Sequence, residues 1–309
     1  MDHHLDDGQV HYEWNNALPA RLEIEPGETV VFVTRDAADR YYRPASTHAD
    51  VLARGPFRGH PLTGPVRVKG ARPGDVLMVE ILEVKPADFG WTAIRPGRGL
   101  LPEADFAKPY LQIWDLSDGT HARAGDRIAV PMDPFPGVIG TALDLPGGHS
   151  TMPPRKNGGN MDIKQLTAGT TLELPVWVDG ALFSVGDGHA AQGDGEVCVT
   201  AVEMNAEVTL RFDLKAGGRL PEPRFRTRGP IATATNQGSW VATTAHGPDL
   251  FASAQQAVRY MIDHLVQERG LSREEAYIVS SVAVDLKISE IVDAPNWIVS
   301  AFLPESIFV

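Results

Sequence analysis

The chain has 309 residues, 43% of them hydrophobic, which is enough to bury a full core without disulfide cross-links. Its formal net charge of −12, with no run of Lys and Arg longer than a pair, excludes a nucleic-acid partner because phosphate binding needs a basic surface. The single cysteine excludes a disulfide framework, and the acidic first residues do not have the pattern of a secretory signal. No run of about eighteen consecutive apolar residues is present, which excludes a transmembrane helix. We therefore expect a cytoplasmic protein.

The first half of the chain has the pattern of an antiparallel β domain. From Ala20 to Lys85, short β-branched runs alternate with Glu-Pro-Gly and Arg-Pro-Gly turns. Pro presets φ at the second turn position and Gly supplies a positive φ at the third. We therefore expect residues 1–150 to form an N-terminal β-rich domain. Within it, the Gly- and Pro-rich stretch from Asp88 to Tyr110 predicts a long ordered loop at the edge of a site.

The second half begins with strands and ends with helices. Thr170 to Val178 alternates as a half-buried strand, and after Asp249 the apolar residues recur at helical spacing up to Gly270, a stop signal. Ser272, with Glu275 three residues later, opens a second helix. We predict a mainly β fold, sandwich-like or barrel-like, with a smaller α+β C-terminal part that contains two helices. Residues 151–309 are expected to form the second domain.

A glycine-rich acidic segment is the most informative feature of the chain. Gly186 to Glu196 reads GDGHAAQGDGE and places Asp187, His189 and Glu196 close together. Glycine lets the backbone approach other groups closely, and carboxylates with an imidazole are ligands of divalent metals. The alternative is a structural turn, because Gly and Asp are also common in turns for purely local reasons. The two strands that such a turn would connect are the runs ALFSV and VCVTAV. A second polar turn, GGNMD, ends at Asp162.

These segments resemble the acetamidase/formamidase family. The resemblance covers nearly the whole chain, and its motifs run in the family order: HPLTGPV at 60–66, PGDVLMVEI at 73–81, PFPGVIGTA at 134–142, STMPP with GGNMD within 150–162, and VGDGHAAQGDGEVC at 185–198. The resemblance implies a mostly β, metal-dependent enzyme that hydrolyses a short amide such as formamide or acetamide. It also implies a homo-oligomer.

The expected metal ligands are carboxylates and one imidazole. Asp187 and His189 are the first expectation, because an Asp-x-His pair in a glycine-bounded turn presents both groups together. Asp162 is expected to supply another ligand or to orient one, and Asp36 is a weaker candidate of the same kind. We expect the metal to be zinc, with calcium as the alternative.

Three residues are expected to act on the substrate. Glu196 is either a further ligand or the general base, and two-residue alternation places it on one side with Cys198 and Thr200. Asn160 is a hydrogen-bond donor to the amide carbonyl or part of an Asx turn. His60 is a third ligand, a proton donor or a structural histidine.

Other functions remain open at this point. Cys198 suggests a covalent thiol mechanism, but it lies in an apolar run without a basic neighbour that would lower its pKa. A metal-dependent hydrolase of another C–N bond, in urea, a carbamate, a larger amide or a cyclic amide, fits the same ligands. The non-enzymatic alternative is a β-rich module held by calcium, but a structural calcium site takes oxygen ligands only and His189 speaks against it.

Overall fold

A computed structural model of the chain describes residues 2–229, 231, 234, 235 and 237–309. Its regular structure is mostly β-strand. In chain order the described strands are β1 Asp2–Leu5, β2 Val10–His11, β3 Glu13–Trp14, β4 Leu22–Ile24, β5 Thr29–Thr34, β6 Leu62–Val68, β7 Val76–Pro86, β8 Phe89–Ile94, β9 Tyr110–Asp115, β10 His121–Ala124, β11 Ile128–Pro131, β12 Phe135–Gly140, β13 His149–Ser150, β14 Gly158–Asn160, β15 Thr171–Pro175, β16 Phe183–His189, β17 Glu203–Met204, β18 Ala206–Lys215, β19 Arg224–Arg226, β20 Trp240–Gly247, β21 Asp285–Glu290 and β22 Trp297–Pro304. The α-helices are α1 His48–Ala53, α2 Leu250–Arg269 and α3 Arg273–Ala283, and a short 3-10 helix covers Glu305–Ile307.

Two large sheets account for most of the strands. One has six strands in the order β1-β5-β18-β7-β15-β19, and the other has eleven, with β16 between β12 and β17 and also paired with β6. Strands from both sides of residue 150 occur in each sheet. The predicted domain boundary at residue 150 is therefore not a boundary between sheets, and the division into two domains stays a prediction.

The hydrophobic core lies between these sheets. Phe32 and Phe212, on the six-stranded sheet, meet Phe183 of the eleven-stranded sheet edge to face, with ring centroids 5.8 and 4.9 Å from that of Phe183. All three are fully buried. Aromatic residues that alternate with polar ones along a strand bury one face of a sheet, and two such faces pack as a sandwich. The prediction of a mainly β fold is confirmed.

The C-terminal part contains the two predicted helices. Asp249 accepts a hydrogen bond from the Ala252 N–H at the start of α2, and Gly270 ends that helix with φ 62°. Ser272 and Glu275 form the predicted capping box of α3. The two helices accompany a three-stranded sheet, β20-β22-β21. No helix in the described part of the chain is both long and apolar enough to cross a bilayer.

Three local predictions were wrong. The predicted loop at 88–110 begins with β8, because FGWTAI pairs with β9 and is buried over most of its length. Helix α1 was missed because six residues are too few to show a helical period. The predicted strand VCVTAV is irregular, because Glu196 and Val199 have φ of 43° and 71°, which interrupts an extended chain.

Candidate functional site

The centre of the candidate site is strand β16, which contains the GDGH motif itself. Every residue of this strand is buried. A Cβ on Gly186 would lie 2.5 Å from the Pro61 carbonyl oxygen, and one on Gly188 would lie 2.9 Å from the Ala206 Cβ. These glycines allow neighbouring strands to approach closely, and the residues that alternate with them, Asp187 and His189, are buried.

One donor group consists of Asp187, His189 and Glu203. His189 Nε2 lies 3.5 Å from Asp187 Oδ2 and 3.2 Å from Glu203 Oε2. The register of β16 and β17 places His189 directly opposite Glu203. Sequence reasoning missed Glu203, because it follows an apolar run without a glycine or a second polar residue that would mark it. Only the strand pairing identifies it.

A second donor group shares the same histidine. Asp162, His189 and Glu196 each offer a ligand atom, and these atoms lie within 4.8 Å of one another. Asp162, Asp187 and Glu196 all have left-handed backbone conformations, with φ of 49°, 59° and 43°. Non-glycine residues rarely adopt this conformation, and such strain concentrates at functional sites. All three carboxylates predicted within the two glycine-rich motifs therefore occupy strained positions around one imidazole.

The orientation of His189 is set by Gln192. His189 Nδ1 donates to Gln192 Oε1 at 3.0 Å, and Gln192 Nε2 donates to the Asp162 carbonyl oxygen at 2.6 Å. With its Nδ1 occupied in this way, the imidazole presents Nε2 to Asp187 and Glu203. Metal-binding histidines are commonly oriented by a hydrogen bond at the other ring nitrogen.

The electrostatics of the cluster favour positive charge. Burial, followed by the charge of Asp187, raises the pKa of Glu203 to about 8, and burial raises that of Asp162 to about 7. Burial and the Asp162 charge raise the pKa of Glu196 well above its usual value. These pKa values rise because several negative charges cannot easily share a dry site.

Asp187 and His189 shift in opposite directions. Burial favours the neutral form of each, but nearby opposite charge outweighs it. The charge of His189 holds the pKa of Asp187 well below its usual range, and the charges of Glu203 and Asp187 hold the pKa of His189 well above its own. The cluster thus already stabilises one cation, the imidazolium, at its centre.

The residues present fit a divalent metal ion. Asp162 Oδ1, Asp187 Oδ1, Glu203 Oε2 and His189 Nε2 are buried and have no hydrogen-bond partner of acceptable geometry among the described residues. Unpaired buried polar atoms are costly, and a cation coordinated by them would remove that cost. A donor set of carboxylate oxygens and imidazole nitrogen is one that zinc accepts.

The remaining predicted site residues surround this cluster. His60 is buried, its Nε2 lies 3.7 Å from Asp187 Oδ2, and its backbone N–H donates to Thr151 Oγ1 at 2.7 Å. Asn160 lines the same cavity and has a buried Oδ1 without a partner in the described structure. Asp36 lies outside both donor groups, and its Oδ1 accepts from the Ala38 N–H at 2.7 Å.

A cavity of about 590 Å³ opens above the cluster. His60, Asn160, Asp162, Asp187 and Glu196 all contribute to its lining. Its size and mixed lining are those of a small-molecule site. The structure therefore gathers the predicted catalytic residues at the floor of one cavity.

Cys198 does not share this cavity with Glu196, so the predicted alternation is wrong at this point. Its side chain is 1% exposed in the main core, with Sγ 3.4 Å from Thr200 Oγ1. Burial raises the pKa of the thiol to about 11. The positive φ values at Glu196 and Val199 break the strand on which the alternation depended. A buried thiol of high pKa is a poor nucleophile.

The C-terminal part holds the segment that carries Glu196. Ser281 Oγ accepts from the Cys198 N–H and donates to the Thr200 carbonyl oxygen, at 3.1 and 2.7 Å. Buried Lys164 pairs with Asp285, whose Oδ1 also accepts from the Asp194 N–H at 3.0 Å. These contacts position an irregular segment that has no strand of its own.

Comparisons with known proteins agree over the whole chain. The model of the Acetamidase/Formamidase family matches residues 2–146 and 145–309. A formamidase from Methylophilus methylotrophus is 29% identical over 98% of this chain and 90% of its own length. An acetamidase from Mycolicibacterium smegmatis is 29% identical over 67% of this chain and 66% of its own length. The solved structure of a gamma lactamase from Delftia acidovorans has a TM-score of 0.91 at 27% identity, and covers 100% of this chain and 93% of that one.

Proposed function

Because this chain belongs to the acetamidase/formamidase family, we propose that its buried carboxylate and imidazole cluster is a divalent metal centre that hydrolyses formamide or acetamide to ammonia and the carboxylate. The chain is an amidohydrolase of short amides, as the family match and the named relatives indicate. The observation that supports the metal centre is the set of buried, unpaired ligand atoms converging on His189 at the cavity floor.

The proposed ligands are Asp187, His189 and Glu203, with Asp162 at the edge of the set. Zinc is the proposed metal, because His189 belongs to both donor groups and an oxygen-only calcium site would not include it. When bound, the ion lowers the pKa of water and polarises a carbonyl oxygen.

Glu196 is the proposed general base and acid. It lines the cavity, and its raised pKa suits a group that takes a proton from the attacking water and then gives one to the leaving nitrogen. The new C–O bond forms first, and after Glu196 has protonated the nitrogen the C–N bond breaks, so that ammonia leaves with that proton. Since the carboxyl group ends the cycle as it began, no other proton carrier is required.

His60 and Asn160 are proposed to orient the amide. Thr151 Oγ1 accepts from the His60 backbone N–H and lies 3.0 Å from His60 Nδ1, so its hydroxyl hydrogen is available to that nitrogen. His60 Nε2 then carries the ring hydrogen, and because Asp187 Oδ2 lies 3.7 Å away, beyond hydrogen-bond distance, this hydrogen is available to the amide. Burial lowers the pKa of His60, which keeps the ring neutral. The Asn160 amide, on the cavity wall, supplies a second donor.

A cyclic amide is the second candidate substrate. The Delftia acidovorans gamma lactamase matches the fold of this chain over its whole length, with a TM-score of 0.91. A cavity of about 590 Å³ has room for a lactam ring. The same residues would open the ring, with the amine remaining attached to the product.

Ammonia release from formamide, acetamide, propionamide and urea tests the function, before and after chelation and with Zn, Mn or Ca restored. Ring opening of a γ-lactam is followed in parallel. His189→Gln removes the shared ligand, and His246→Gln is the matched control because His246 is exposed on β20. We expect His189→Gln to lose both bound metal and turnover, while His246→Gln retains both.

Two outcomes would contradict the proposal. Turnover of none of the amides or the lactam by the metal-loaded protein would remove the amidase function. Activity that survives exhaustive chelation, with no metal detected, would replace the metal centre by a covalent mechanism.

A cytoplasmic location also belongs to the proposal, since an acidic chain with one cysteine suits a reducing compartment, and cell fractionation tests it.

A further inference from the structure

The cavity is far larger than formamide or acetamide requires. Its volume is about 590 Å³, whereas a molecule of four non-hydrogen atoms fills on the order of 100 Å³, at about 30 Å³ for each water-sized group. Space left beyond the amide would otherwise be filled with water. The upper part of the cavity therefore has room for a further portion of the substrate, and its lining indicates the chemistry of that portion.

Three arginines line this cavity, namely Arg54, Arg95 and Arg98. In a chain of net charge −12, most arginines near a carboxylate form ion pairs, as Arg35 does with Asp7 and Asp39. Among the described residues, no carboxylate forms an ion pair with any of the three cavity arginines. None of the three is therefore neutralised by a direct ion pair in the described structure, and only for Arg54 does the charge act on a nearby buried carboxylate, that of Asp36.

The contacts of these arginines anchor them without using all their donors. Arg54 Nη2 donates to the Ala37 carbonyl oxygen at 2.6 Å, and Arg95 Nη1 donates to the Val51 carbonyl oxygen at 3.3 Å. A guanidinium has five N–H donors, so each retains several. Arg98 is exposed and its side chain has no hydrogen-bond or ion-pair partner among the described residues, while Arg95 is half-buried. The arrangement is that of a positively charged rim above an acidic floor.

We propose that the natural substrate is a short amide with a carboxylate at the end remote from the amide, such as the monoamide of a dicarboxylic acid. This inference rests on the proposed amidase function. The amide end lies over the cluster of His189 and Glu196, and the carboxylate end is held by Arg95 and Arg98. A planar guanidinium matches a carboxylate with two parallel hydrogen bonds. The opposite arrangement would leave Arg95 and Arg98 facing a neutral amide, which offers them one carbonyl oxygen in place of two charged carboxylate oxygens.

The test compares glutaramate with glutaramide, which have the same shape and differ by one negative charge. Values of kcat/KM are expressed per amide group, because glutaramide has two. We expect the wild-type protein to prefer glutaramate by about tenfold or more, the scale of a hydrogen-bonded charge pair at a partly exposed site. The double variant Arg95→Gln/Arg98→Gln should reduce this preference to about threefold or less. Because the readout is a ratio within one protein, partial loss of folding does not imitate it.

Arg58→Gln is the matched control, since Arg58 is exposed, lies outside the cavity lining and belongs to the same segment of chain as Arg54. It should keep the preference for glutaramate. Equal turnover of the two substrates by the wild type, a preference that persists in the double variant, or its equal loss in Arg58→Gln would each overturn the inference. If neither these amides nor formamide is hydrolysed, the proposed function fails instead. Calorimetric binding of glutaramate then decides whether the carboxylate site exists. We expect binding by the wild type and by Arg58→Gln, and none by the double variant. No binding by the wild type would refute the carboxylate site.

Discussion

Gly137 is the position where one added methyl group perturbs the candidate site most directly. It lies on β12, beside β16 and below the shared histidine. A Cβ built on Gly137 would lie 2.6 Å from His189 Cε1 and 2.7 Å from Asp162 Oδ1, where ordinary van der Waals contact begins at 3.4 Å. The methyl group of Gly137→Ala is therefore about 0.7–0.8 Å too close to Asp162 and to His189, the histidine that both donor groups share.

The expected loss of activity follows from this displacement. His189 and Asp162 must move by a few tenths of an ångström or more, and a misplacement of about 1 Å at a reacting centre costs on the order of 10²-fold in rate. Overpacking also lowers the free energy of unfolding by about 1–3 kcal/mol. We expect Gly137→Ala to lower kcat/KM for formamide by about 10²-fold and the bound metal to fall, with the far-UV circular dichroism unchanged.

Gly229→Ala is the matched control. A Cβ at Gly229 meets no heavy atom of the described residues within 4 Å, and neither glycine has a positive φ, so both variants add the same methyl group but only Gly137→Ala creates a clash. Ammonia release, metal content by mass spectrometry and thermal unfolding are measured on both. Wild-type turnover by Gly137→Ala with full metal content would show that the reaction does not depend on the positions of His189 and Asp162, and the assigned site would be wrong.

The other predictions concern the base, the thiol, the metal and the assembly. Glu196→Gln should lower kcat by about 10²-fold or more; metal retained in that variant identifies a base, whereas metal lost identifies a ligand. Cys198→Ala should retain most activity, and the native thiol should resist alkylation at pH 8 until the protein unfolds, because it is 1% exposed and burial raises its pKa to about 11; rapid native labelling would contradict this. Chelation should abolish turnover and lower the unfolding temperature, and zinc should restore both, since a ligand that binds only the folded state stabilises it; an unchanged unfolding temperature would argue against a bound metal. Sedimentation should give at least twice the chain mass of 33.5 kDa, and a monomer at micromolar concentration would refute the homo-oligomer.

Much of the candidate site was identifiable from the sequence because its residues lie in two short glycine-rich motifs. Asp187 and His189 are separated by one residue, and Asp162 ends the other motif, so their chemistry was visible before any fold was known. The motif resemblance also indicated the family. Glu203 was not visible in this way, because its partner His189 is distant in sequence and adjacent only through the pairing of β16 with β17.

The sequence by itself determined the secondary structure that depends on local rules. Turn residues, strand alternation, the stop at Gly270 and the capping box at Ser272 act over a few residues, and both of these helix signals are present in the structure. Only the tertiary structure decided the path from Glu196 to Thr200. That segment departs from its strand-like composition because Ser281 of α3 supplies its hydrogen bonds, and Glu196 consequently faces the cavity while Cys198 enters the core. Local propensity is worth tenths of a kcal/mol per residue, so buried partners from a distant helix outweigh it.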